Sequence, residues 1–217
     1  MIEAVVFDMD GLLIDSEQVW DDVREALARE RGGRYTAESQ RAMMGMSAPE
    51  WSRYMHDVVG LPEGPEEINR EVVERMQERY GDAPPWIPGA LDAVRRLAAA
   101  YPLGLASSSN RQLIDAVLEA GGIASLFRST VSSEEVARGK PAPDVYLEVC
   151  RRLDVRPAAA AAIEDSQSGI LAAVGAGMAC VAVPNAHFPP GADALAEADA
   201  VVSSPAELTA SLVGSLR

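Results

Sequence analysis

The sequence has 217 residues, of which 48% are hydrophobic and 24% charged, as in an ordinary globular protein and unlike a disordered one. Its formal net charge of −14 argues against nucleic acid and anionic membrane surfaces as partners. Cys150 and Cys180 are too few for a disulfide framework, and no apolar run reaches membrane-spanning length, so we expect a cytoplasmic protein.

The chain opens with a short apolar run at about residues 3–7, which predicts a buried strand and ends in Asp8-Met9-Asp10-Gly11. Two carboxylates this close repel each other unless a cation or a shared proton relieves them. In open α/β sheets, ligands bind beyond the carboxyl ends of the strands. Asp8 and Asp10 are therefore the first candidates for chemistry.

The next stretch predicts four helices, because apolar residues recur at helical spacing between glycine and proline stops, at about 17–31, 36–43, 49–59 and 65–80. Ser16 has the type and position of an N-cap for the first of them. We predict an all-helical, four-helix cap at 15–81, inserted into a core formed by 1–14 and 82–217. The segment 81–89, rich in glycine and proline, is the predicted hinge-bearing linker.

Beyond residue 89 the pattern alternates between strands and helices. Strands are predicted at about 103–106, 130–131, 159–163, 179–183 and 200–202. Helices are predicted at about 90–100, 111–120, 144–153 and 167–174, with a last one from 205. This alternation predicts an α/β fold with a doubly wound, mostly parallel, Rossmann-like sheet.

Three further polar clusters follow predicted strands, at 107–110, 139–141 and 164–166. Because parallel strands end at one edge of the sheet, we expect all four clusters to form one site. The acids offer hard oxygen ligands that suit Mg²⁺, namely Asp8, Asp10, Glu164 and Asp165. Hydroxyls and helix-opening amides suit phosphoryl oxygens, and the predicted phosphate contacts are Gly11, Ser107, Ser108 and Lys140.

Lys140 is the only lysine among 19 lysine and arginine residues. A compact ammonium and a planar guanidinium are not interchangeable, so a retained lysine in an arginine-rich chain indicates a functional position, with chance drift as the alternative. Pro141 and Pro143 stiffen the turn that carries it. We expect Lys140 to balance charge on both a phosphate and the carboxylates, in a site for phosphoryl transfer.

Each cluster by itself also has a structural explanation. Acid-glycine pairs after strands are common in turns, serine runs cap helices, and the acids at 164–165 suit a helix N-terminus. Their joint occurrence after four predicted strands favours function.

These motifs resemble the haloacid dehalogenase superfamily, in its phosphatase and β-phosphoglucomutase-like branch with a helical cap. Residues 7–17 resemble its first motif, 105–107 its second, Lys140 its third and 164–165 its fourth. The resemblance implies that Asp8 is a nucleophile that forms an aspartyl-phosphate and that Asp10 is the general acid and base. It also implies Mg²⁺ bound by Asp8, the Asp10 carbonyl and Asp165, with Glu164 assisting. The second acid, Asp10, distinguishes a phosphatase from a dehalogenase.

In the cap, Trp20 and Ala48 stand where the mutases carry a histidine and an arginine. The chain is in this respect similar to sugar- and polyol-phosphate phosphatases such as 2-deoxyglucose-6-phosphatase. The candidate substrate residues of the cap are Glu17, Trp20, Gly45 and Ser47. Packing under the cap is an alternative use of Trp20.

We therefore predict a monomeric, Mg²⁺-dependent hydrolase of a small phosphorylated metabolite, a sugar or polyol phosphate, with no nucleic-acid or membrane partner. A sugar-phosphate mutase is the first alternative. A phospho-accepting, receiver-like signalling module is the second, although such a module needs no helical lid.

Overall fold

The centre of the molecule is a parallel sheet. The computed structural model describes residues 1–81, 83–185 and 187–216. Over these residues six strands pair in the order β3-β2-β1-β4-β5-β6. Their bounds are β1 Ala4–Phe7, β2 Leu103–Ser107, β3 Phe127–Ser132, β4 Ala160–Glu164, β5 Ala179–Ala182 and β6 Ala200–Val201. All five pairings are parallel.

Strand β1 lies between β2 and β4 and is buried along its whole length. Sheets covered on both faces are built from continuous apolar runs, as in the Ala-Val-Val-Phe of β1. The chain leaves β1 towards β2 on one side and later adds β4 on the other. The change of direction opens a crevice beside the carboxyl end of β1, where ligands of such folds bind.

Helices fall into two groups. Four lie between β1 and β2 in the chain and pack against one another: α1 Glu17–Glu30, α2 Ala37–Met43, α3 Ala48–Tyr54 and α4 Pro65–Tyr80. The others accompany the sheet strands: α5 Ala90–Ala98, α6 Arg111–Ala120, α7 Asp144–Leu153, α8 Gln167–Gly175, α9 Ala192–Ala196 and α10 Ala210–Gly214. The α/β Rossmann-like fold predicted from the sequence is confirmed.

The helical unit α1–α4 is joined to the sheet by two adjacent chain segments. The Asp15 amide donates to the Pro85 carbonyl at 2.8 Å, and the Ile87 amide donates to the Leu13 carbonyl at 2.9 Å. The predicted division into a 15–81 cap and a 1–14 and 82–217 core stays a prediction, and Asp82 in the linker lies outside the described residues. In the described ranges no helix combines the length and apolarity needed to cross a membrane.

Several predicted elements differ from the observed ones. The predicted helix 49–59 ends as α3 at Tyr54 and continues as a π-helical turn, Met55–Val59. The predicted strand at 130–131 is shorter than the observed β3. This is an edge strand whose exposed positions carry polar residues, and these interrupt the apolar pattern in the sequence. The last predicted helix, from 205, is a 3₁₀ turn followed by α10, because Thr209 caps a new helix by accepting the Leu212 amide at 3.1 Å. The short helix α9 was not predicted.

Candidate active site

The first residue beyond β1 is Asp8, which stays in the sheet because its amide donates to the Ile163 carbonyl of β4 at 3.0 Å. Its side chain meets the ammonium of Lys140. The Lys140 Nζ donates to Asp8 Oδ1 at 2.5 Å, to Glu164 Oε1 at 2.6 Å and to the Ala106 carbonyl at 3.0 Å. All three donor positions of the ammonium are therefore used. Burial alone would lower the pKa of Lys140, but the two carboxylates outweigh it and raise that pKa.

Glu164 ends β4 and is fully buried. Its Oε1 also accepts the Tyr146 hydroxyl at 2.6 Å, and its Oε2 accepts the Asp165 amide and the Ser166 hydroxyl, both at 3.1 Å. The carboxylate lies directly against Gly169 at the start of α8, where a Cβ atom would come within 1.9 Å of it. Glu164 would have to exchange one of these donors to bind a cation directly.

The carboxylates of Asp8, Glu164 and Asp165 offer oxygens that all lie within 4.8 Å of one another. Burial raises the pKa of Asp165, and the charges of Asp8 and Glu164 raise it further. The Asp165 carboxylate accepts no hydrogen bond from the described residues, and Gly11 passes so close that a Cβ there would lie 2.0 Å from its Oδ2. Three buried acids, of which only Asp8 and Glu164 contact the Lys140 ammonium, fit a hard divalent cation such as Mg²⁺.

Asp10 accepts four side-chain hydrogen bonds. Its Oδ1 accepts the Ser16 hydroxyl at 2.6 Å and the Trp20 indole N–H at 3.3 Å. Its Oδ2 accepts the hydroxyls of Ser109 at 2.7 Å and Ser107 at 3.2 Å. Ser16 and Trp20 open α1, whereas the other two serines end and follow β2, so Asp10 joins the helical unit to the sheet.

A cavity of about 600 Å³ opens above this edge of the sheet. Its sheet side includes Asp8, Asp10, Lys140 and Asp165, and its helical side includes Glu17, Trp20, Arg24 and Trp51. This volume is within the range of pockets that hold small molecules.

The helical wall of the cavity is aromatic and carries one buried cation. The rings of Trp20 and Trp51 lie 5.8 Å apart at 59°, and the Arg24 guanidinium carbon lies 4.6 Å and 4.7 Å from their centroids. Burial lowers the pKa of Arg24. Burial, with the Asp10 charge adding to it, raises the pKa of Glu17 to about 7.

The predicted core residues thus come together: Asp8, Asp10, Gly11, Lys140, Glu164 and Asp165 lie at one edge of the sheet. Ser108 lines the cavity, whereas Ser107 is fully buried and its hydroxyl binds Asp10. Among the cap candidates, Glu17, Trp20 and Gly45 line the cavity.

Ser47 lies outside the cavity lining at the start of α3, where its amide and hydroxyl donate to Glu50 at 2.8 Å and 2.5 Å. Its role in substrate binding stays a prediction.

Several residues of the site were not identified from the sequence. Ser16 sits at the N-cap position, but its hydroxyl binds Asp10 and does not cap α1. Ser109 belongs to the predicted cluster at 107–110, with helix capping as its alternative use, and its hydroxyl donates to Asp10. Arg24 carried a usable signal, because it lies four residues after Trp20 on one face of α1. No sequence signal marked Tyr146 as a site residue, because a tyrosine on the buried face of α7 is typical of the hydrophobic core.

Comparisons with known proteins agree with this arrangement. A family model described as haloacid dehalogenase-like hydrolase matches residues 5–183. Validoxylamine A 7'-phosphate phosphatase from Streptomyces hygroscopicus subsp. limoneus is 32% identical over 96% of both chains. Hexitol phosphatase B from Escherichia coli K12 is 33% identical over 96% of this chain and 95% of its own. The crystal structure of CbbY from Rhodobacter sphaeroides in complex with phosphate has a TM-score of 0.84 at 28% identity and covers 96% of each chain.

Proposed function

The chain belongs to the haloacid dehalogenase-like hydrolase family, and we propose that it is a Mg²⁺-dependent phosphatase of a sugar or polyol phosphate that acts through a phosphorylated Asp8. Relatives that match almost its whole length are named phosphatases, and the chain is an enzyme that hydrolyses phosphate esters. The observation that carries the finer proposal is the position of Asp8. It lies at the carboxyl end of the central strand, lines the cavity and is held by Lys140 at 2.5 Å.

The first step would transfer the phosphoryl group to Asp8. A carboxylate oxygen of Asp8 forms a bond to phosphorus while the bond from phosphorus to the ester oxygen breaks. Asp10 donates its proton to the leaving oxygen, which departs as an alcohol. Lys140 contacts Asp8 Oδ1, whereas Oδ2 accepts no hydrogen bond from the described residues. The ammonium therefore orients the nucleophile without engaging both of its oxygens.

The second step would release phosphate. Asp10, now a carboxylate, takes a proton from a water molecule whose oxygen attacks phosphorus, and the bond from phosphorus to Asp8 breaks. Inorganic phosphate leaves and the Asp8 carboxylate is restored. Because Asp10 accepts four hydrogen bonds, it has to exchange at least one donor to reach the ester oxygen. Two of these donors, Ser16 and Trp20, would move with the helical unit as it opens and closes to control access of water.

Mg²⁺ would be held by the carboxylates of Asp8 and Asp165 and by the Asp10 backbone carbonyl, with Glu164 assisting. The hard, buried oxygens of the acidic cluster support this assignment. When bound, the ion would supply positive charge that stabilises the negative charge on the phosphoryl oxygens.

The residue at position 48 favours hydrolysis over isomerisation. Ala48, at the position where the resembling mutases carry an arginine, is 1% exposed and does not line the cavity. Position 48 therefore lacks the arginine expected of a mutase, and the buried cation of the helical wall is Arg24, at a different position of the cap. The receiver-like alternative is not retained, because the relatives are enzymes and the helical unit covers the site.

The test is phosphate release from a panel of sugar, polyol and nucleotide monophosphates, each with Mg²⁺ and with EDTA. We expect turnover of sugar or polyol phosphates that EDTA abolishes and added Mg²⁺ restores. Clean conversion of a hexose 1-phosphate into its 6-phosphate, without release of phosphate, would establish a mutase in its place. Full activity in EDTA would contradict the role of the metal.

A further inference from the structure

We propose that Arg24 binds a second negatively charged group of the substrate, a carboxylate or a phosphate at the end of the molecule remote from the cleaved ester. This role rests on the proposed function, and it narrows the substrate class to phosphate esters that carry another anionic group. Arg24 would then decide specificity without taking part in bond breaking.

The first observation is the position of the guanidinium. Arg24 projects from α1 into the wall of the cavity and is only 7% exposed. Its planar head lies over the rings of Trp20 and Trp51, at 4.6 Å and 4.7 Å from their centroids. Aromatic faces attract a cation and also restrict its orientation. The guanidinium is therefore fixed in place before any ligand arrives.

The second observation is that the charge has no partner. Within the described ranges, no group accepts a hydrogen bond from Arg24 and no carboxylate oxygen lies within 4 Å of it. Its Nε is fully buried and unpaired. A buried arginine without a counter-ion is costly and normally marks a missing partner.

Neighbouring acids do not fill this gap. Asp21 accepts the Tyr35 hydroxyl at 2.8 Å, and Asp10 is engaged by four donors of its own. Glu17 lines the same cavity but makes no ion pair with Arg24. The partner that the guanidinium lacks would have to come from a ligand in the cavity.

The third observation is that one cavity connects Arg24 with Asp8 and Lys140. Trp20 spans part of that path, since its ring lies under Arg24 while its N–H donates to Asp10 at 3.3 Å. A short carbon chain could therefore place its phosphate at Asp8 and its other end at Arg24. An uncharged hydroxyl there would leave the arginine uncompensated, whereas a carboxylate or phosphate matches its donors in pairs.

The test uses substrates that differ only at the remote end. 6-Phosphogluconate and glucitol 6-phosphate differ by a carboxylate against a hydroxymethyl group, and 3-phosphoglycerate and glycerol 3-phosphate form a shorter pair. We expect kcat/KM to favour the carboxylate in at least one pair by about 10- to 100-fold, the range of a charge-assisted hydrogen bond, mainly through KM. The kcat/KM value of glucitol 1,6-bisphosphate, compared with that of 6-phosphogluconate, shows whether Arg24 favours a second phosphate over a carboxylate.

Arg24→Gln should abolish that preference because it lowers kcat/KM for the carboxylate substrate far more than for the hydroxymethyl substrate, and Arg24→Lys should restore part of it. Arg70→Gln is the matched control, because Arg70 is an exposed arginine of α4 whose side chain is 65% accessible. It should keep the preference. If Arg24 had only a structural role, Arg24→Gln would lower kcat/KM equally for both substrates of a pair, and that result would overturn the inference. A wild-type ratio of kcat/KM values near one in both pairs would overturn it as well.

A binding measurement separates this inference from the proposed function. Calorimetric titration of Asp8→Asn with the same pairs should show a similar ratio between the Kd values of the hydroxymethyl and carboxylate ligands. Combining Asp8→Asn with Arg24→Gln should bring that ratio close to one. If no monoester releases phosphate from the wild-type enzyme, hydrolysis is refuted while the ratio in binding still supports Arg24. Equal binding, or no binding, of the paired ligands refutes the inference.

Discussion

The sheet wall and the helical wall of the cavity each contain a buried cation of nearly equal exposure, 6% for Lys140 and 7% for Arg24. Lys140 is surrounded by three acceptors, two of them carboxylates. Arg24 has two aromatic faces and no acceptor among the described residues. On the sheet wall the buried cation is held in place by acceptors of the chain itself, before any ligand binds. On the helical wall the buried cation has no such acceptor, so we expect this wall to select the substrate.

The two walls meet at Asp10. Its carboxylate takes two hydrogen bonds from each side, and the Trp20 indole that binds it also supports Arg24. Substitutions on the sheet wall should therefore affect every substrate, whereas substitutions on the helical wall should affect some substrates more than others.

The largest effect should follow Asp8→Asn. An amide is a poor nucleophile, so we expect phosphate release to fall by about 10⁴-fold or more on every substrate. Lys140 keeps Glu164 at 2.6 Å, which should preserve the fold, as circular dichroism and thermal unfolding would verify. A variant that retained a tenth of wild-type turnover would refute Asp8 as the nucleophile.

A direct contrast between the two cations comes next. Lys140→Met leaves buried Asp8 and Glu164 without their ammonium, so we expect a loss of about 3–5 kcal/mol in the free energy of unfolding, measured in urea with EDTA. Arg24→Met removes a buried charge that has no counter-ion, so its stability should stay within about 1 kcal/mol of wild type or exceed it. Equal losses in the two variants would show that the walls do not differ as described.

Glu17 tests the helical wall through pH. Its pKa of about 7 lies above the ordinary 4.5, so between these values the folded chain holds a proton that the unfolded chain has lost. The free energy of unfolding therefore falls as pH rises from 4.5 to about 7. The stabilising contribution of protonated Glu17 is complete only below pH 4.5. Because Glu17 is partly exposed, we expect Glu17→Gln to flatten the curve by about 2 kcal/mol, which is less than the full linkage.

The matched control for this measurement is Glu25→Gln, which removes the same charge from an exposed position of α1. Unfolding curves of both variants in EDTA from pH 4 to 8 would decide the point. A Glu17→Gln curve parallel to that of wild type would contradict the pH dependence.

The smallest effect should come from Trp20→Phe. The change deletes the indole N–H that donates to Asp10 at 3.3 Å but keeps a ring beside Arg24. We expect kcat to fall by about three- to tenfold, the value of one modest hydrogen bond. Trp51→Phe, which trims a ring with no bond to Asp10, should leave kcat closer to wild type, and an equal fall in both would show that ring size is what matters.

Much of the sheet wall could be predicted from the sequence because β-strand order makes local motifs converge. Asp8, Lys140 and Glu164 lie far apart in the chain, yet each follows or ends a predicted core element, and they meet within hydrogen-bonding distance. Asp165 joins the same cluster. Ser16 shows the limit of such reasoning, because its sequence position predicts an N-cap while its hydroxyl binds Asp10.

The sequence by itself determined the fold class, the edge of the sheet where the acids gather, and the bounds of helices such as α4 and α7, since these depend on local periodicity and strand alternation. Only the tertiary structure decided what Arg24 faces. Helical spacing places Arg24 beside Trp20, but the second indole, Trp51, comes from α3 through packing between distant segments. Whether a buried charge finds a partner depends on such long-range packing, and no local pattern records it.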